Sequence, residues 1–188
     1  MARTARSDNS LDMRLVEEWM GRAAEIAVAE CPHPNPRVGA LVIDDSGRIV
    51  AEGAHGGPGL PHAEASALAS AGKAAKGATV VVTLEPCAHY GLTPPCTEIL
   101  ISAGVARVIV GSVDPDSRVA GKGLERLRAS GIQVILEDSS AENESIDPAY
   151  FHHRRTGRAM ITVKVAATLD GQTAAADFSS QWITSPEA

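Results

Sequence analysis

The sequence predicts an α/β fold: a five-stranded mixed sheet with helices on both of its faces. Short runs of β-branched and aliphatic residues alternate along the chain with segments in which apolar residues recur at helical spacing. Aromatic residues make up only 3% of the chain, so the core must consist of Val, Ile, Leu and Ala. Such a core suits a sheet covered by helices. The 188 residues give room for one full domain and part of a second.

The elements are expected in the order α-β-β-α-β-α-β-α-β, beginning with a helix over 11–30. In that helix apolar residues from Leu15 to Ala27 have amphipathic spacing. Two strands follow at 38–43 and 48–54, and the polar stretch between them is typical of a hairpin turn. The remaining elements are a helix over 62–72, a strand over 78–84, a helix over 96–103, a strand over 107–113, a helix over 123–130 and a strand over 132–136.

Residues 1–150 are predicted to form the first domain. A connecting helix and linker are expected over 137–158. This segment overlaps the end of the domain, and the linker between the domains is expected at 151–158. From residue 159 to residue 188 the pattern starts again, with a strand at 161–166 and a polar loop. Because one strand and one loop cannot bury a core of their own, this tail is expected to be the beginning of a second domain.

Composition and charge argue against several classes of partner. The net charge is −6 and the chain has two each of Trp, Tyr and Phe, so neither the basic groove nor the aromatic surface of a nucleic-acid-binding protein is expected. No apolar run approaches the roughly 20 residues of a membrane span. Residues 1–10 contain no hydrophobic signal-peptide core. Together with the cysteine usage described next, this predicts a cytoplasmic protein.

Four residues indicate a catalytic zinc site: His62, Glu64, Cys87 and Cys96. Such a site needs three protein ligands and one open position for water. Cys87 is expected at the end of the strand over 78–84, and Cys96 in the first turn of a helix that Pro95 is suited to start. The pattern is close to the signature of zinc-dependent deaminases, His-x-Glu followed by Pro-Cys-x-x-Cys, in which the Glu is the acid/base.

The spacing of the two cysteines departs from that signature, because eight residues separate them instead of two. His62 and Glu64 could also be the solvated start of a helix without any ligand. Cys31 could be a third sulfur ligand, but a small apolar filler before Pro32 is the preferred interpretation.

Five motifs in a fixed order identify a family. They are Pro34-Asn35-Pro36-Arg37-Val38-Gly39, Pro61-His62-Ala63-Glu64, Thr83-Leu84-Glu85-Pro86-Cys87, Gly91–Cys96 and Val119-Ala120-Gly121-Lys122-Gly123. Together they resemble the bifunctional riboflavin-biosynthesis deaminase–reductases, in which the longer gap between the cysteines is typical. The resemblance covers roughly 14–187. It implies a cytidine-deaminase-like three-layer α/β/α fold for 1–150 and a dihydrofolate-reductase-like fold for the tail.

The resemblance also implies a reaction. A zinc ion bound by His62, Cys87 and Cys96 would activate water, with Glu64 as the acid/base. The substrate would be 2,5-diamino-6-ribosylamino-4(3H)-pyrimidinone 5′-phosphate, whose 2-amino group leaves as ammonia. Full-length relatives would add an NADPH-dependent reductase step, which is not expected from this chain. A homo-oligomer is expected.

Other positions match family residues that bind small molecules. Asn35, His55, His89 and Asp114 match positions that hold the base, ribose or phosphate of the deaminase substrate. Asn35 could instead cap a turn, Asp114 could start one, and the two histidines could be surface loop residues. In the reductase segment the resemblance assigns NADP contacts to Ala166 and Trp182 and a substrate contact to Ser180.

Several positions depart from the family pattern. The family commonly has Lys or Arg where Leu92 stands, another basic residue near Gly57, His at Ser66, Ser at Ala88 and Asn-Pro at Asp116-Ser117. The catalytic residues are therefore intact, while the cations expected to bind the phosphate are depleted. Two alternatives stay open at this point: deamination of another nucleobase or nucleoside, and a non-catalytic zinc domain.

Overall fold

The computed structural model describes residues 12–137 and 140–179, and it divides the chain into the units Met1–Arg158 and Ala159–Ala188. The helices of the first unit are α1 (Met13–Val28), α2 (Ala63–Ala71), α3 (Cys96–Ala103), α4 (Lys122–Ala129), α5 (Ser140–Ile146) and α6 (Pro148–Thr156). Its strands are β1 (Gly39–Ile43), β2 (Ile49–Ala54), β3 (Thr79–Val82), β4 (Arg107–Val110) and β5 (Gln133–Leu136). A short 3₁₀ turn, Gly72–Ala75, follows α2.

The five strands form one mixed sheet in the order β2-β1-β3-β4-β5, which confirms the predicted architecture. Strand β1 is antiparallel to both β2 and β3, whereas β3, β4 and β5 are mutually parallel. The parallel strands end at the same edge of the sheet, so the loops that follow β3 and β4 leave from neighbouring points.

Alternation along the strands separates the two layers of core, because successive side chains point to opposite faces. Leu41, Val81 and Ile109 pack with α1 on one face. Their sequence neighbours, including Val80 and Val108, face a second core. This second core also contains residues of α2, α3 and α4, so the sheet lies between two helical layers.

Close packing fixes α2 against the sheet. A Cβ atom at Gly53 of β2 would lie 2.4 Å from both the Ala63 carbonyl oxygen and the Ala67 backbone nitrogen. Only glycine permits this approach without displacing the helix. The start of α2 is therefore held at a defined depth over the edge strand.

Two predictions for the C-terminal region were wrong in detail. Most of the linker expected at 151–158 belongs to α6, because Tyr150 and Phe151 are buried and form a small apolar cluster with Leu84. The strand expected at 161–166 is not formed. Ile161, Val163 and Val165 are exposed there, and a lone strand without a hydrogen-bonded neighbour is not stable.

The second unit is described over 159–179, where it contains neither helix nor strand. It has a hydrogen-bonded turn in which the Gly171 amide donates to the Thr168 carbonyl at 2.9 Å. The expectation that this segment begins a reductase-like domain stays a prediction. Over the described ranges, no helix combines the length and apolar character that crossing a bilayer requires.

Candidate metal centre and active-site cavity

Three side chains from different elements converge at one end of the sheet. His62 is the residue that precedes α2, Cys87 lies in the loop after β3, and Cys96 is the first residue of α3. The Nδ1 atom of His62 lies 3.6 Å from the Cys87 Sγ and 3.3 Å from the Cys96 Sγ. All three potential ligand atoms lie within 4.8 Å of one another.

This geometry fits a zinc ion. A tetrahedral ion with Zn–S bonds of about 2.3 Å and Zn–N bonds of about 2.0–2.1 Å places its nitrogen and sulfur ligands about 3.6 Å apart. The two measured nitrogen–sulfur separations, 3.3 and 3.6 Å, lie close to that value. One imidazole and two sulfurs are also the donor types that zinc prefers.

Hydrogen bonds prepare one of the thiols as a ligand. The Cys87 sulfur accepts a hydrogen bond from the Cys96 thiol and interacts with His62. It also accepts the Cys96 backbone N–H at 3.4 Å. These contacts lower the pKa of Cys87 to about 4. The pKa of Cys96 is raised because this thiol holds the shared proton and is buried. The hydrogen bond with Cys87 raises the pKa of His62. These contacts favour the thiolate form of Cys87, which is the form that binds metal.

Glu64 lies in the first turn of α2, where it is only 3% exposed. Burial, followed by the negative charge of Cys87, raises the pKa of Glu64 to about 6. The carboxyl group also interacts with the Cys96 thiol. A buried carboxyl group whose pKa approaches neutrality can both accept and return a proton, as a general acid/base must.

A cavity of about 260 Å³ opens beside this centre. Six predicted site residues line it together with Cys87: Asn35, His55, His62, Glu64, His89 and Asp114. Within the cavity the His55 Nδ1 donates to the Pro61 carbonyl at 3.1 Å, which leaves its Nε2 to accept the Asn35 Nδ2 at 2.8 Å. Burial lowers the pKa of His55 and so favours this neutral form.

Residues 13–112 match the family model described as the cytidine and deoxycytidylate deaminase zinc-binding region. The chain belongs to this deaminase family. The match spans α1 to the residues just after β4, and it contains all three candidate metal ligands and Glu64. The family is zinc-binding, in agreement with the geometry of the centre.

Comparison with curated proteins and solved structures confirms the resemblance to the deaminase–reductases. The chain is 49% identical over 174 residues to the riboflavin biosynthesis protein RibD of Escherichia coli (strain K12). This alignment covers 92% of this chain and 47% of that protein. A deaminase/reductase structure from Thermotoga maritima has a TM-score of 0.85 at 42% identity and covers 92% of this chain and 50% of its own. Acinetobacter baumannii RibD has a TM-score of 0.84 at 41% identity, and the match covers 93% of this chain and 49% of the RibD chain. The chain spans about half the length of the relatives it matches.

Glu85 belongs to one of the family motifs, but its role as a buried hydrogen-bond acceptor was not predicted from the sequence. Its Oε1 accepts the Gly123 amide at 2.8 Å, and its Oε2 accepts the Gly121 amide at 2.9 Å. Longer contacts come from the backbone N–H groups of Leu124 and Asp114. Because Glu85 lies two residues before Cys87, it anchors the metal-ligand loop to the start of α4.

Four further lining residues were assigned no binding role from the sequence: Asp116, Arg118, Tyr150 and Arg154. The Tyr150 hydroxyl donates to the Asp114 carboxylate, with oxygen–oxygen distances of 3.1 and 3.2 Å. Helix α6 therefore forms part of the cavity wall. The sequence signal was the apolar pair Tyr150-Phe151 inside a polar stretch, which indicates a packed helix face and not a linker.

The remaining predictions lie away from this cavity or outside the described residues. Ala166 is exposed in the second unit, and Ser180 and Trp182 lie outside the described residues, so the reductase-site assignments stay predictions. Cys31 is exposed, so the apolar-filler interpretation was wrong. The exposed Cys31 is also absent from the cluster of candidate metal ligands among the described residues.

Proposed function

We propose that the first unit catalyses the hydrolytic, zinc-dependent deamination of 2,5-diamino-6-ribosylamino-4(3H)-pyrimidinone 5′-phosphate. The product is 5-amino-6-ribosylamino-pyrimidinedione 5′-phosphate, and the reaction is a step of riboflavin biosynthesis. The observation that carries the proposal is the buried Glu64 carboxyl group beside a three-ligand metal centre in one cavity. The similarity to riboflavin biosynthesis proteins over 92% of the chain supports the choice of substrate.

His62, Cys87 and Cys96 would hold one zinc ion per chain through one nitrogen and two sulfurs. When bound, zinc acts as a Lewis acid that lowers the pKa of a coordinated water to about 7. Three protein ligands would leave a position for that water, as in other catalytic zinc sites.

Glu64 moves the protons. Its carboxylate accepts a proton from the attacking water and delivers it to the ring nitrogen next to the carbon under attack. A second proton from the same water then reaches the departing amino group, which leaves as ammonia. The water oxygen becomes the new carbonyl oxygen, so atoms and charge balance. The low exposure of Glu64 keeps bulk water from exchanging these protons.

The other cavity residues orient the substrate. Because the Asn35 amide nitrogen is engaged by His55, the side-chain oxygen of Asn35 is left as an acceptor for a ring or ribose donor. Asp114 provides a second acceptor that the Tyr150 hydroxyl holds in place. His89 lies in the loop between the two cysteines and also lines the cavity.

The test is ammonia release from the ribotide by zinc-loaded protein. Wild type should release ammonia. Glu64→Gln should keep its zinc while kcat falls about 100-fold or more, as is usual for a general acid/base. Glu98→Gln provides a matched control, since Glu98 is a partly exposed carboxylate on α3 that pairs with Arg126.

Three results would contradict the proposal or its mechanism. No ammonia at saturating ribotide would favour a zinc domain without catalytic activity. Faster release from cytidine or guanine than from the ribotide would favour deamination of another ring. A Glu64→Gln variant with wild-type kcat would remove Glu64 from the mechanism.

A further inference from the structure

Two arginines reach the cavity from distant parts of the chain. Arg118 lies in the loop before α4, and Arg154 lies on α6. Both pair with Asp116: the Arg118 Nη2 lies 2.6 Å and the Arg154 Nη1 lies 3.5 Å from the Asp116 Oδ2. The two guanidinium groups therefore share one buried carboxylate.

The pairing leaves hydrogen-bonding capacity unused. The Asp116 side chain is 7% exposed, whereas the Arg118 side chain is 75% exposed. Arg118 bonds Asp116 through Nε and Nη2, which leaves its Nη1 donors available to a ligand. Within the described part of the chain, the buried Nε of Arg154 has no hydrogen-bond partner.

Other contacts keep Arg154 in position at this wall. Its guanidinium lies 5.1 Å from the centroid of the Tyr150 ring, in cation–π geometry. The neighbouring carboxylate, Asp114, accepts the Tyr150 hydroxyl, whereas the two arginines pair with Asp116. A preorganised guanidinium group loses little conformational entropy when it binds an anion.

Among the described residues that line the cavity, Arg118 and Arg154 are the permanently charged cations. The other basic groups there are the imidazoles of His55, His62 and His89. Leu92, at the position where a basic residue was expected, is 83% exposed and carries no charge. In this cavity, Arg118 and Arg154 are therefore the groups whose permanent positive charge can attract a phosphate group.

We propose that Arg118 and Arg154 bind the phosphate ester of the substrate and so make the site selective for a phosphorylated nucleotide over the free nucleoside. The inference rests on the proposed function. Guanidinium groups match phosphate oxygens in planar, two-point geometry, and such charge-assisted bonds are about twice as strong as neutral ones. Asp116 keeps both groups oriented before the phosphate binds.

Steady-state kinetics with the ribotide and with its dephosphorylated riboside provide the main test. Arg118→Gln and Arg154→Gln should each raise KM for the ribotide by about 10- to 100-fold, with kcat nearly unchanged, if one charge-assisted bond to phosphate is lost. KM for the riboside should stay the same. Arg118→Lys and Arg154→Lys keep the charge and should recover part of the effect. Arg128→Gln is the matched control, because Arg128 is exposed on α4 and does not line the cavity.

Binding of ribose 5-phosphate, measured by calorimetry against ribose, gives a readout that does not require turnover. Wild type should prefer the phosphate ester, and the double variant Arg118→Gln/Arg154→Gln should lose that preference. If wild type releases no ammonia from either substrate, the proposed function fails, and the calorimetric comparison alone decides the phosphate site. A double variant that still discriminates the phosphate, or a wild type that never does, would overturn the inference.

Discussion

Glu85→Gln tests how strongly one buried carboxylate holds the metal-ligand loop. The Glu85 side chain accepts backbone N–H groups at 2.8 and 2.9 Å from Gly123 and Gly121. A carboxylate presents acceptors on both oxygens, whereas an amide presents one oxygen and one NH₂ group. In the Glu85→Gln variant, the NH₂ group would face a backbone N–H whichever way the amide is turned.

The expected cost follows from these contacts. Losing one short hydrogen bond to a charged acceptor costs about 1.5–3 kcal/mol, and the N–H left buried without an acceptor costs about 1–3 kcal/mol. The two costs overlap in part, and Glu85→Gln should lower the free energy of unfolding by about 3–5 kcal/mol, near the middle of the range that they span together. For a chain of this size that corresponds to a fall in Tm of about 6–20 °C.

Urea unfolding of the zinc-loaded protein, followed by circular dichroism, measures this difference. Glu98→Gln is the matched control, because the Glu98–Arg126 pair is partly exposed and should contribute no more than about 1 kcal/mol. If Glu85→Gln changed stability no more than Glu98→Gln does, Glu85 would not anchor the loop in the way described.

Three further perturbations test other parts of the site. Cys96→Ser should sharply reduce the zinc content measured by elemental analysis, because serine replaces a thiolate with a poor zinc ligand; unchanged zinc would exclude Cys96 as a ligand. Tyr150→Phe should raise the pKa of Asp114, which burial already raises and the Tyr150 hydroxyl partly lowers. The acidic limb of kcat/KM should therefore move to higher pH, while the exposed Tyr90→Phe control leaves it in place. Gly53→Ala should cost about 1–3 kcal/mol in urea unfolding, because its Cβ would overlap the backbone of α2. Gly21→Ala, at an exposed position of α1 where a Cβ meets open space, should instead be neutral or stabilising.

The parts of the structure that local sequence patterns specify were predictable. Helix α3 has the predicted bounds, Cys96–Ala103, because Pro95 and Gly104 mark its two ends. The core strands were found through their β-branched residues, although β3 and β4 are shorter than expected. The candidate metal ligands could be predicted because their chemistry is rare and each follows or begins a recognisable element, and the structure brings the three side chains together.

The parts that depend on contacts between distant segments were not predictable in the same way. Tyr150 and Arg154 line the cavity on α6, which packs on Leu84; the apolar pair Tyr150-Phe151 indicates a packed helix face, but it does not indicate the surface on which that face packs. Glu85 has the local pattern of a polar strand end, and its hydrogen-bond donors come from segments distant in sequence, the start of α4 and the Asp114 backbone. The segment 161–166 has the composition of a strand, but composition does not reveal whether a neighbouring strand is present to pair with it.

The anchoring of the ligand loop has a consequence for metal exchange. Glu85 and the Cys96 backbone N–H fix Cys87 through the polypeptide itself, so the ligand geometry does not depend on an ion to organise it. The apoprotein should consequently stay folded when zinc is chelated, unlike small zinc modules in which metal binding drives folding. A folded apoprotein can be reloaded with cobalt(II), whose visible absorption bands depend on coordination number and sulfur ligation. Titrating substrate analogues into the cobalt form would then allow changes at the fourth coordination position to be followed optically, which the spectroscopically silent zinc ion does not permit.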